Sequence, residues 1–148
     1  MIKIGDFNNL EIVKEVEFGL YLDGGEEHGE ILLPTRYMPE EYNVGDVLKV
    51  FIYRDSEDRI IATTETPLVT VDHLAFLEVK AVTKFGAFLD WGLSKDLLVP
   101  FREQKTNMVE ERNYLVYVYL DEDSQRIVAS AKIDKFLDNF PPEYDSGE

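Results

Sequence analysis

Residues 84–91, Lys84-Phe85-Gly86-Ala87-Phe88-Leu89-Asp90-Trp91, set two phenylalanines astride a glycine directly after a lysine. Single-stranded nucleic acid is held by that mixture. Bases stack on exposed rings for about 1–3 kcal/mol each, and cations follow the phosphates. Lys95 and Arg102 lie a loop or a strand further on, and Asp121 and Arg126 flank a charged turn. Phe85, Phe88, Lys84, Lys95, Arg102, Asp121 and Arg126 form the principal candidate site. Two readings of the phenylalanines stand. In a regular strand, residues three apart point to opposite faces, which would bury one of them. A bulge at Gly86 would bring both to one face. Asp121 and Arg126 suit a cross-strand ion pair as well as a ligand. Trp91 is a further stacking candidate, against a role as a cap on the core.

A weaker copy of the unit precedes it, at Glu17-Phe18-Gly19-Leu20-Tyr21. Gly19 and Gly86 are 67 residues apart, Pro34 and Pro100 are 66, and Arg59 and Arg126 are 67. A spacing held across several features marks a duplication. Phe18, Tyr21, Asp55 and Arg59 are the corresponding, weaker candidates. Glu11, Glu15, Glu17, Glu26, Glu27 and Glu30 crowd the same region and would repel phosphate.

Charge separates the copies. The chain of 148 residues carries 15 basic and 30 acidic residues, a net of −15. That balance argues against a general affinity for nucleic acid, which draws its strength from Lys and Arg. Between residues 80 and 105 the sign reverses. There Lys80, Lys84, Lys95, Arg102 and Lys105 outnumber Asp90, Asp96 and Glu103.

The elements that must position these residues are short strands. Residues 10–16, 18–22, 30–34, 47–53 and 59–63 alternate or are rich in β-branched and aromatic side chains, with turn residues between them. A three-glycine loop spans 23–29, and residues 35–44 hold at most a helical turn. The pattern repeats at 77–83, 86–89, 96–100, 114–120 and 126–130, the fourth of these matching 47–53. In that strand, period two puts Tyr114, Val116 and Val118 toward the core and Leu115, Tyr117 and Tyr119 outward. Residues 131–140 form an amphipathic helix with Ile133, Phe136, Leu137 and Phe140 on one face. Five strands with a helical turn between the third and fourth is the order of an OB barrel. The expected fold is all-β, two tandem five-stranded barrels with a short C-terminal helix. Residues 1–66 form the first barrel, 67–132 the second, and 133–148 the helix and a linker-like tail. That ending suits a chain that continues.

Phe85-Gly86-Ala87-Phe88-Leu89, Asp96-Leu97-Leu98-Val99-Pro100 and Arg126-Ile127-Val128-Ala129-Ser130 resemble the S1 RNA-binding domain. More narrowly, Phe88 to Leu93, Lys95 to Phe101 and Tyr117 to Asp121 are similar to the bacterial conserved virulence factor B family. The resemblance covers residues 1–139. It implies an RNA-binding regulator in which S1 modules are followed by a winged-helix domain. In S1 domains the RNA face combines the two aromatics with a histidine ending the third strand and an Asp and Arg about the last hairpin. Here Pro34 and Pro100 stand at the histidine position, which removes one stacking and hydrogen-bonding group.

No nucleophile motif or glycine-rich phosphate loop points to an enzyme. His28 and His73 are isolated, so no metal site or cofactor is expected. The absence of cysteine, of a signal-peptide pattern and of a membrane-length apolar run suits the cytoplasm. Single-stranded RNA, with DNA as a weaker ligand, is the expected partner. The alternative is an acidic OB module docking on a basic protein.

Overall fold

A computed structural model describes residues 2–55 and 57–139. Each repeat closes into its own five-stranded barrel, as the strand pattern predicts. The first contains β1 (Phe7–Val16), β2 (Gly19–Asp23), β3 (Glu30–Pro34), β4 (Val47–Arg54) and β5 (Ile60–Thr63), ordered β1-β2-β3-β5-β4 around the barrel. The second contains β6 (His73–Thr83), β7 (Gly86–Asp90), β8 (Leu97–Pro100), β9 (Asn113–Leu120) and β10 (Ile127–Ser130) in the corresponding order. One parallel contact closes each barrel, Leu32 opposite Ile61 and Leu98 opposite Val128. Alternation fills the interiors. Ile12, Leu20, Leu22, Ile31, Leu33, Val50 and Ile52 are buried in the first, and Leu77, Val79, Ala87, Leu89, Leu97, Val99, Val116 and Val118 in the second.

Two sequence expectations change. The glycine loop contains one helical turn, α1 (Gly25–His28), whose first amide donates to the Asp23 carboxylate. The short C-terminal helix expected over 131–140 is present as a 3-10 helix over Ile133–Asn139. Phe136 stacks on Tyr117 with ring centroids 4.3 Å apart, while Phe140 and the Leu137 side chain lie outside the described residues. The match of strand 114–120 to 47–53 is one residue out of register. Phe51 pairs with Thr63 and Tyr117 with Ser130, so Phe51 and Tyr117 are equivalent, 66 apart. A one-residue slip exchanges the two faces of a strand, so the correction matters. Val116 and Val118 face inward as expected, but Tyr117, on the outer side, is also buried.

The outer face of β4 explains how the barrels meet. Phe51 and Tyr53 point away from their own core and join Ile61, Val69 and Trp91 in one apolar cluster with the interior of the second barrel. Phe51 meets Trp91 edge-on at 5.6 Å, and the Leu68 amide donates to the Trp91 carbonyl. The connection between the barrels is therefore packed rather than a free tether.

Candidate nucleic-acid interface

Gly86 starts β7 with φ +138°, and a Cβ there would run into the Val99 carbonyl oxygen across the sheet. Only glycine has that backbone freedom without a clash. The tight turn leaves Phe85 outside the ladder and 63% exposed. Phe88 lies between the inward Ala87 and Leu89 and so faces out, half-buried. The opposite-face rule fails because Phe85 is a turn residue, not a strand residue. The bulge lies instead at Lys80, between the pairs Val79–Leu89 and Ala81–Phe88. Both rings open onto one groove of about 380 Å3, whose lining also includes Leu98, Lys95 and Arg126. The Lys84 ammonium sits 5.3 Å from the centre of the Phe85 ring.

The groove has a second wall. The β4–β5 hairpin of the first barrel contributes Tyr53, Arg54, Asp55 and Asp58. Arg126 donates from Nε and a terminal nitrogen to the two carboxylate oxygens of Asp58, at 2.7 and 2.6 Å. That hydrogen bonding holds the Asp58 carboxyl below its ordinary range. Lys95 donates to the carbonyls of Arg54 and Asp55 at 2.7 and 3.0 Å. Burial, then the charge of Arg126, lowers its pKa. Asp121 does not pair with Arg126 through its side chain. Its carboxylate accepts from the Ser124 hydroxyl and amide, which depresses its pKa and closes the hairpin.

Lys84, Arg102 and Asp121 do not line the groove, and Trp91 lines it as a buried side chain. Trp91 is only 2% exposed, with Phe51 against its ring and its Nε1 donating to the Lys95 carbonyl. It is an inter-barrel anchor, packed against Phe51. Arg102 is exposed on the 3-10 turn Phe101–Glu103, 3.9 Å from Glu103, and does not line the groove.

In the first barrel Phe18 is 55% exposed and meets the half-buried Tyr21 edge-on at 6.1 Å. Lys14 lies over the Tyr21 ring and pairs with Glu30 at 3.3 Å, as Lys80 pairs with Asp96 at 3.5 Å. Arg59 turns back onto Asp55 at 3.0 Å. Burial opposes the ionised form of Asp55, but the Arg59 and Glu57 amides and the guanidinium lower its pKa. Pro34 lies opposite Gly19, and Pro100 opposite Gly86. The residues that linear reasoning missed are Arg54 and Asp58. They belong to the other repeat, and no spacing within the second copy points to them.

A closed five-stranded barrel in this order, with an aromatic pair on its outer face, is an OB-type module, here present twice. The chain belongs to the S1 domain family, whose model matches residues 4–65 and again 74–132. It is 40% identical over 91 residues to the YitL protein of Bacillus subtilis (strain 168), covering 61% of this chain and 30% of that one. It is 29% identical over 102 residues to conserved virulence factor B of Staphylococcus aureus (strain USA300), covering 68% and 34%. The chain thus spans about a third of the length of these curated relatives. A crystal structure of a multidomain protein with nucleic acid binding domains, from Streptococcus pneumoniae TIGR4, superposes with a TM-score of 0.70. It shares 21% identity and covers 85% of this chain and 45% of that one.

Proposed function

We propose that this chain is an RNA-binding part of an expression regulator, contacting single-stranded RNA chiefly through the second barrel and catalysing no reaction. The observation that carries the reading is the opening of Phe85 and Phe88 onto one groove, with Lys84 over the outer ring. Two stacked bases with a phosphate near Lys84 suit that geometry. The first barrel has an equivalent aromatic pair, but its arginine is engaged within its own hairpin and its surface is acidic. It serves as a scaffold for the second.

The test is binding of a labelled single-stranded RNA at low ionic strength. Phe88→Ala combined with Lys84→Ala should weaken binding at least about tenfold, since each stack contributes about 1–3 kcal/mol. The circular dichroism spectrum should be retained. Phe18→Ala with Tyr21→Ala should leave affinity unchanged. The slope of log affinity against log salt should be shallow, because few phosphates are engaged. Equal affinity of the wild type and the Lys84/Phe88 variant would refute the platform. No detectable RNA binding in low salt would favour docking on a basic protein instead.

A further inference from the structure

We propose that the first barrel regulates this site by holding Arg126 on Asp58, a carboxylate placed where a backbone phosphate would otherwise bind. The inference rests on the RNA-binding reading above. A guanidinium presents a planar fork that matches carboxylate and phosphate alike, two oxygens at a time. Arg126 makes that two-point contact with Asp58 inside the groove that holds Phe85 and Phe88. The carboxylate comes from the other repeat.

The hairpin that carries Asp58 is held firmly against the second barrel. Asp58 adopts φ +67°, and its amide donates to the Asp55 carbonyl. Arg54 donates to the Asp58 carbonyl at 2.6 Å and to the Gln125 carbonyl at 2.9 Å. Lys95 clamps the same hairpin through the carbonyls of Arg54 and Asp55. These contacts do not need the Asp58 carboxylate, so its release would leave the hairpin in place. The partner expected within the second repeat, Asp121, is spent on Ser124, which leaves Arg126 available to reach across.

The contact is also displaceable. The two side chains are about half exposed, at 49% for Asp58 and 52% for Arg126, so water and salt weaken their pairing. An RNA phosphate would take the guanidinium while Asp58 turns to solvent. Occupied and closed states then compete for one arginine, so the RNA must bind against the lock.

Asp58→Gly tests this in the full chain, because glycine accepts the positive φ and removes only the carboxylate. The probe is a fluorescent ten-residue oligouridylate, titrated across a salt series. The variant should bind roughly two- to fivefold more tightly, the factor an exposed ion pair can supply. Its salt slope should steepen by about 0.7, one more phosphate engaged on a single strand. Arg126→Ala added to Asp58→Gly should remove both changes. A merely loosened inter-barrel contact would not alter the slope. If Asp58→Gly binds no more tightly while Phe88→Ala still weakens the wild type, the lock is refuted and the platform stands. If neither the wild type nor Asp58→Gly binds the oligonucleotide in low salt, the RNA reading fails and the lock with it.

Discussion

In the first barrel Arg59 folds back on Asp55, four residues earlier in the same hairpin; in the second, Arg126 passes its corresponding Asp121 and crosses to Asp58. The second hairpin is one residue longer, but in each the aspartate amide donates to the arginine carbonyl. Both hairpins turn through a non-glycine residue at positive φ, Asp58 at +67° and Gln125 at +60°. Both aromatic pairs flank a glycine, and both have a lysine-to-acid pair nearby. The outer face of the fourth strand diverges most. Phe51 and Tyr53 are covered by the second barrel, whereas Tyr117 and Tyr119 are covered by Phe136 of the C-terminal 3-10 helix. Duplication preserved what the barrel needs to close. Side chains on its outside were free to take separate tasks, and one repeat became a wall for the other's groove.

The largest test of that asymmetry is Trp91→Ala. Its counterpart 67 residues earlier is Gly24, so only the second repeat supplies an anchor. Removing a buried indole should cost about 3–5 kcal/mol. Chemical denaturation should then resolve two transitions where the wild type should give one; a single unshifted transition would mean the barrels are not coupled through this ring. A smaller effect tests the shared backbone. Gly19→Ala and Gly86→Ala each force a Cβ against a carbonyl, of Leu33 and Val99, at positive φ. Each should cost about 1–3 kcal/mol, in equal measure. Unequal losses would show that the two turns are not equivalent.

The smallest concerns acid. Glu103 is buried, and burial by itself opposes its ionised form. Hydrogen bonds from Lys135 and Ser130 outweigh that and hold its pKa below the ordinary 4.5. A depressed carboxylate stabilises the fold above its unfolded-state value and loses that contribution as pH falls through the folded one. Its counterpart, 66 residues earlier, is Tyr37, which bonds the Ser94 hydroxyl instead. Glu103→Gln should therefore lower stability by about 1–2 kcal/mol at neutral pH. The gap to wild type should close as pH drops below 4.5. A gap that persists in acid would place the loss in packing rather than charge.

Much of the fold was legible in the residues. Apolar alternation in strands such as Gly19–Asp23 and Gly86–Asp90, punctuated by glycine and proline, specifies short strands because side chains alternate faces with period two. Tyr117 shows the limit of that logic. Periodicity places it outward correctly, yet it is buried, because Phe136 arrives from another element. Trp91 shows the same limit, since a ring just past a strand end is a platform or an anchor according to what packs upon it.

By itself the chain determined the duplication, the two barrels, the aromatic pair about Gly86 and the acidic character of the first repeat. Each of these depends on local spacing or summed charge, and both can be read along a line. Only the tertiary structure decided that both phenylalanines share a groove, that Trp91 is buried against Phe51, and that Arg126 answers to Asp58. Those depend on which surfaces meet across 68 residues of sequence separation. Contacts at that range are set by the packing of Phe51 and Trp91, not by any pattern within either repeat.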